Sequence, residues 1–371
     1  MTMWTRVIAL IIKEFLAILR DRKARITLIG PPIVQLIIFG YAATFDLKEV
    51  PYAVYDEDSS LASREFLARF EGANAFRKVA VLQKEDEIRQ LIDTQQVLLV
   101  LHIPPRFQSR LTREGNAPVQ VIIDGRNSNT AMLALNYVNE IAASFTLNMA
   151  RQKGLRGPAA QLVVRAWYNP NLESQWFIVP GIVGLLTMVV TLMVTALSIA
   201  REREAGTFDQ LLVTPMNPFE LLVGKTVPGL VIGLFEGSII VLLTVFWFGV
   251  PLRGSVPALY IGLLFFSLSV IGVGLMISSI AATQQQGLLG AFLFMVPAVT
   301  LSGFATPIAN MPEIVQKFTL FNPFRYFLVV VRKVFLEGAG MELLLTEYLC
   351  MAAIGVVTLF TAALMFRRRM Y

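Results

Sequence analysis

The sequence contains one cysteine, Cys350, and one histidine, His102. A single cysteine excludes an internal disulfide. A lone histidine with no cysteine cluster argues against a zinc-type centre built on it. Charge is scarce as well: only 16% of the 371 residues are Asp, Glu, Lys or Arg, whereas 55% are hydrophobic. With a mean hydropathy of +0.62, this composition rules out an ordinary soluble protein of this size and indicates an integral membrane protein. The chain also lacks a G-x-x-x-x-G-K-[ST] phosphate loop, an H-E-x-x-H helix and a G-x-S-x-G elbow. No catalytic constellation is therefore expected, nor nucleotide hydrolysis by this chain alone. The net charge of +6 suits basic flanks of membrane spans better than a nucleic-acid surface.

What is present is a series of long apolar runs. A bilayer core takes about 20 apolar residues in a helix. Residues 26–45, 176–200, 255–282, 287–308 and 348–366 carry no charge, and 226–249 carries one ionisable residue, Glu236. These stretches predict six spans. Arg6, Lys13, Arg20, Arg22, Lys23 and Arg25 precede the first, and Arg367, Arg368 and Arg369 follow the last. Basic residues mark cytoplasmic flanks, so both termini are expected in the cytoplasm, with residues 201–225 and a short loop at 283–286. Residues 46–175 and 309–346 are then external, although Lys317, Arg325, Arg332 and Lys333 run against the charge rule there.

Residues 1–25 do not read as a cleavable signal peptide, because Lys13 and Glu14 interrupt the apolar run. Val7, Ile8, Leu10, Ile11, Phe15, Ile18 and Leu19 cover a wide helical face, with Arg6, Lys13 and Arg20 on another. This predicts an amphipathic helix along the cytoplasmic surface. Residues 46–173 have as many acidic as basic residues. Residues 50–56, 76–82, 96–103 and 118–123 read as strands, and 59–70, 84–95 and 127–154 as helices, giving an α/β domain with its own core. Tyr55-Asp56-Glu57-Asp58 reads as a strand end followed by a helix cap at Ser59 or Ser60 rather than as a cation site.

The segment REREAGTFDQLLVTPMNPFELLVGK (201–225) carries two helix starts. Thr207-Phe208-Asp209-Gln210 fits a capping box and predicts a short helix ending at Pro215, with Ala205-Gly206 as a flexible joint before it. So short a helix is not stable alone in water. Phe208, Leu211 and Leu212 share one face of it and need something to pack on. Asn217 as cap, Pro218 at the first position and Glu220 three residues on predict a second helix that runs into the third span. These residues leave two readings open: a docking element for a cytoplasmic partner, or a connector packed on its own membrane domain.

Gly229, Gly233 and Gly237 form a GxxxGxxxG pattern that allows close helix packing. Glu236 borders that face. A charge inside a span costs about 2.5–3.5 kcal/mol on insertion scales, so Glu236 should face the bundle interior. It is a candidate for the translocation path or a cationic substrate; a hydrogen bond to a neighbouring helix is the other reading.

The segment REREAGTFDQLLVTPMNPFELLVGKTVP resembles the cytoplasmic coupling segment of ABC-2 type (type V) export permeases. LSGFATPIANMPEIVQKFTLFNPFRYFLVVVRKVFLEG (301–338) resembles their signature, and AWYNPNLESQWFIVPG, YDEDSS and IDGRNSN match the subgroup with a large external domain. The likeness covers essentially the whole chain and is closest to inner-membrane permeases of bacterial three-part efflux systems. It implies an ATPase-coupling site at Glu204, Gly206, Thr207, Phe208, Leu211, Leu212 and Pro215. It implies short external re-entrant helices at 309–340, with Gly303, Pro307, Pro312, Pro323 and Arg325 as motif residues. ATP and Mg would be bound by a partner ATPase, and this chain would hold no cofactor or metal. Further implied partners are a second copy or a related permease and a periplasmic membrane-fusion adaptor.

The expected architecture is thus an all-α six-helix transmembrane domain with an extracytoplasmic α/β domain inserted between spans 1 and 2. Its parts are an elbow helix at 1–25, span 1 at 26–45, the external domain at 46–175, spans 2–6 at 176–366 and a basic cytoplasmic tail at 367–371. The expected function is outward movement of drugs or other amphipathic compounds across a bacterial inner membrane, driven by a separate ATPase. An ATP-independent scaffold or receptor is the alternative; a secondary transporter is weaker, because one buried carboxylate is thin provision for ion coupling.

Overall fold

A computed structural model describes residues 3–20, 22–42, 49–152, 167–169, 173–208 and 217–370. The chain forms two compact units, Phe45–Arg165 and a second built from Met1–Thr44 with Ala166–Tyr371.

The first unit is a four-stranded sheet with helices. Strands β1 (Val50–Asp56), β2 (Phe76–Leu82), β3 (Leu99–Ile103) and β4 (Gln120–Ile123) lie in the order β2-β1-β3-β4. β1 pairs parallel with β2 and β3, and β3 pairs antiparallel with β4. β1 and β2 occupy the expected ranges; β3 and β4 start later than expected, where Leu99 and Gln120 enter the ladder. One face buries Tyr52, Phe66, Phe70, Phe76, Leu101 and Phe145 in an aromatic core. Ser60 caps the helix Leu61–Glu71 by accepting from the Ser63 N–H. Asp56 Oδ1 accepts the Asp58 and Ser59 N–H groups, and Asp58 accepts from Gln108 N. The acidic run thus closes turns, as a strand end and cap require. One helix, Phe107–Arg113, was not anticipated.

The second unit is helical. Its elements, labelled α1 onward within this unit, are α1 (Met3–Arg20), α2 (Arg22–Ala42), α3 (Ser174–Glu204), α4 (Pro218–Phe246), α5 (Val256–Ile280), α6 (Gln284–Thr300), α7 (Glu313–Phe318), α8 (Pro323–Arg332) and α9 (Leu345–Met370). Among the described residues, four helical stretches are long and apolar enough to cross a membrane: Ser174–Glu204, Phe219–Phe246, Val256–Ile280 and Met341–Arg368. Six were expected. The apolar part of α2 is shorter, Leu28–Tyr41. The expected span at 287–308 is a 17-residue helix, Gln284–Thr300, about 26 Å long at 1.5 Å per residue, at the short end of the roughly 17–25 residues that cross a bilayer core. Residues 301–307 are uncharged but do not continue it. Gly303 adopts φ +88° and Pro307 leads into a 3₁₀ turn, so lack of charge there does not mean helix.

The core lies where α3 and α5 meet α8. Phe266 and Phe327 stack at 4.4 Å between ring centroids, and α8 buries Phe324, Leu328, Val330 and Val331. Asn322 starts α8 by accepting the Phe324 N–H and donates to Ala298 O at 2.6 Å. At 10 residues, α8 is about 15 Å long, too short to span. Arg325 donates to Thr319 Oγ1 and lies 5.8 Å from the Tyr326 ring centre. Among the described residues it makes no ion pair with Glu313 or Glu337.

Candidate functional site

The site is built on the facing ends of α3 and α4. The end of α3 is a hydrogen-bonded stop. Gly206 N–H donates to Arg203 O and Thr207 N–H to Glu202 O, each at 3.0 Å, with Gly206 at φ +68°. This is the left-handed C-terminal cap that glycine favours. The expected joint at Ala205-Gly206 is thus a hydrogen-bonded turn in the structure. The Thr207 hydroxyl also points back, donating to Glu202 O at 3.3 Å. Phe208 is half-buried; it packs with Ile199, Leu222 and Phe366, and the Arg203 guanidinium stands 4.8 Å over its ring. Phe208 is thus used by its own chain. Leu211, Leu212 and Pro215 lie outside the described residues.

Neighbouring chain ends are tied in. Glu204 Oε2 accepts the Gln284 N–H at 2.9 Å, and Arg203 donates to Ala281 O at 2.9 Å. These bonds join the end of α3 to the turn between α5 and α6. On the other side Glu220 accepts the Asn217 N–H at 3.0 Å, as the expected cap requires, and Pro218 takes the first helical position.

The amphipathic α1 lies against both ends. Its buried positions are Val7, Leu10, Glu14 and Ile18, while Trp4, Ile8, Ile12, Leu16 and Leu19 are exposed. Leu10 sits over Gly224, where any Cβ would lie 2.3 Å from Leu10 Cδ2. Arg6 pairs with the buried Glu220 at 3.0 Å. Lys225, whose side chain is wholly buried, places Nζ 2.8 Å from Glu14 Oε1, 3.1 Å from Glu202 Oε2 and 3.0 Å from Ser198 Oγ. Lys13 binds the other oxygen of Glu202. Charges out of water persist only when paired and hydrogen-bonded, so this cluster fixes α1, α3 and α4 in one arrangement. Sequence reasoning missed Glu14, Ser198, Glu202 and Lys225. The available signal was Glu14, an acid in helical phase with Val7, Leu10 and Ile18.

Deeper in α4, the three glycines pack as the pattern predicts. A Cβ at Gly229 or Gly233 would lie 2.8 or 2.4 Å from Thr195 or Thr191 of α3, and one at Gly237 would lie 2.8 Å from Leu263 of α5. Glu236 is buried and neither carboxylate oxygen has a hydrogen-bond partner among the described residues. The hydrogen bond to a neighbouring helix is therefore not made. Of the 301–338 residues, Gly303 supplies the positive φ, Pro307 and Pro312 precede short helical turns, and Pro323 opens α8.

The family described as ABC-2 family transporter protein matches residues 23–364. This chain belongs to that family. It is 39% identical to the probable multidrug ABC transporter permease YbhR of Escherichia coli K12, over 99% of this chain and all of that protein. It is 32% identical to the probable multidrug ABC transporter permease YbhS of the same organism, over 99% of this chain and 98% of that one. A more distant relative is the linearmycin resistance permease protein LnrN of Bacillus subtilis, 20% identical over 88% and 90% of the two chains. The protein is the permease subunit of an ABC-2 type exporter. It is not an enzyme; ATP is hydrolysed by a separate ABC ATPase subunit, and the permeases of such transporters act as dimers. The scaffold reading is not favoured.

Proposed function

We propose that this ABC-2 permease exports drugs or similar amphipathic compounds across a bacterial inner membrane, with residues 201–225 receiving the stroke of its ATPase. Two curated relatives that align over nearly its whole length are described as probable multidrug transporter permeases. The observation that carries the coupling role is the fixed frame around the segment. A glycine cap ends α3, an acid-capped start opens α4, and the Lys225 cluster ties both to α1. Movement of the residues between these ends is thereby passed to two long helices rather than absorbed by a loose joint. Two-state switching of the halves then follows from ATP binding in the partner.

In this reading both termini are cytoplasmic, six segments cross the bilayer, and the sheet unit lies outside, where it meets a periplasmic adaptor. The permease pairs with itself or a related chain, residues 309–340 form the external re-entrant segment with Gly303, Pro307, Pro312, Pro323 and Arg325 as its motif residues, and Glu236 lies on the translocation path. Co-purification with the ATPase tests the coupling assignment. Leu211→Asp with Leu212→Asp is expected to abolish association and export while leaving the permease folded. Retained association and export would place the docking face elsewhere.

A further inference from the structure

Glu236 opens into a cleft that no reading of the coupling segment uses. The cleft lies between α1, α2, α3 and α4, is about 90 Å³ in volume, and is walled mainly by Ile18, Leu28, Pro32, Val190, Phe235 and Ile239. Glu236 is 7% exposed, and both of its oxygens lack a hydrogen-bond partner. Arg25 also lines the cleft and makes no ion pair with Glu236 among the described residues. Ile18, Leu28 and Val190 also line a second chamber, of about 380 Å³, which ends at Lys13, Glu14, Arg201 and Glu202. That larger space is within the usual range for a small-ligand pocket, roughly 300–1,000 Å³, and is mostly apolar as such pockets are.

The charges differ between the two chambers. Both carboxylates of the larger one already hold lysines: Glu14 binds Lys225, and Glu202 binds Lys225 and Lys13. Glu236 holds none. A buried carboxylate without a partner is costly in an apolar environment, and a cation beside it relieves that cost. The small chamber has room for an ammonium group but not for a drug-sized body. The adjoining chamber has room for the body.

We propose that these two neighbouring chambers, which share Ile18, Leu28 and Val190 as walls, together bind an amphipathic organic cation, with its amine beside Glu236 and its apolar body against Leu28 and Val190. The proposal rests on the assignment of Glu236 to the translocation path and adds the class of compound and the place it occupies. Recognition by one carboxylate in an apolar cleft selects for positive charge and tolerates many apolar shapes.

The test uses the full-length permease in lipid nanodiscs and the fluorescent amine monodansylcadaverine, with its N-acetylated, uncharged form as comparison. Wild type is expected to bind the amine at least about ten-fold more tightly than the acetylated form. Glu236→Gln should remove that preference, Glu236→Asp should keep part of it, and Val190→Trp should weaken both probes by filling the shared wall. Equal binding of the amine by wild type and Glu236→Gln overturns the proposal, as does Val190→Trp binding both probes normally. Export by the complete complex separates the proposal from the path assignment. If Glu236→Gln binds the amine as wild type does yet exports nothing, the residue lies on the path and the cation site is wrong. If both binding and export are unchanged, both assignments fail.

Discussion

Lys225 of α4 holds Glu14 of α1 at 2.8 Å with its own side chain wholly withdrawn from solvent. Removing one partner of a buried pair strands the other, at a cost of about 3–5 kcal/mol. Lys225 faces two acids, so Lys225→Met leaves both Glu14 and Glu202 short of charge. We expect Lys225→Met to lower the thermal unfolding midpoint of the detergent-solubilised permease clearly. Adding Glu14→Gln should recover part of the loss, because one stranded charge is removed. A double variant no better than the single one would show that Glu14 and Lys225 do not act as a pair.

Gly233 gives a second prediction. A Cβ there would lie 2.4 Å from Thr191 Oγ1, and the threonine belongs to a buried part of α3. Overpacking of this kind costs about 1–3 kcal/mol. Gly233→Val should therefore destabilise the bundle, whereas Val231→Leu, at an exposed position of the same helix, should not. Unfolding curves of the two variants in one detergent make the comparison. Equal midpoints would mean that α3 and α4 do not approach closely at this glycine.

The sheet unit carries a pH-dependent contact. His102 Nε2 lies 2.8 Å from Glu57 Oε2, and Nδ1 lies 2.9 Å from Gln120 Oε1. Burial pulls the imidazole pKa down, but hydrogen bonds to Glu57 and Gln120 and the charges of Glu57 and Glu85 outweigh it, so the pKa is raised above 6.5. A raised folded value stabilises the charged form. That contribution is full below the unfolded pKa near 6.5 and is lost as pH rises through the folded value. Proteolysis within residues 49–152 of the intact chain should accordingly be slower at pH 6 than at pH 8. Glu57→Gln should shrink the difference. A pH response untouched by Glu57→Gln would assign it to other groups.

Parts of this structure are legible in the sequence for physical reasons. β1 and β2 have the predicted bounds because β-branched and aromatic runs are closed by turn residues. The Asn217-Pro218-Glu220 start is a local code, and it is obeyed. The Phe107–Arg113 helix was missed because Arg106 before it is left-handed and provides no capping side chain. The Lys225 cluster was missed because it joins residues of three separate helices; the helical phase of Glu14 with Val7, Leu10 and Ile18 marks it as buried but does not name its partners. Composition alone marks Ala205-Gly206 as a joint. A glycine at φ +68° inside two hydrogen bonds forms a left-handed turn, a geometry that composition does not separate from an open joint.

That turn yields the last prediction, because Gly206 separates backbone from packing. A Cβ added there would meet nothing within 4 Å, so a substitution acts only through the left-handed conformation. For ordinary residues this conformation costs about 1–2 kcal/mol, and asparagine tolerates it better. The cap sets where α3 stops, and in the proposed coupling role this is where the stroke of the ATPase reaches the bundle. Gly206→Val should therefore reduce export and permease-stimulated ATP hydrolysis in the reconstituted complex, with little change in the unfolding midpoint of the bundle. Gly206→Asn should lie between Gly206→Val and wild type. The order glycine, asparagine, valine belongs to a backbone requirement alone. If valine and asparagine behaved alike, steric effects in the bound partner would explain the loss, and the cap would not be what aims the segment.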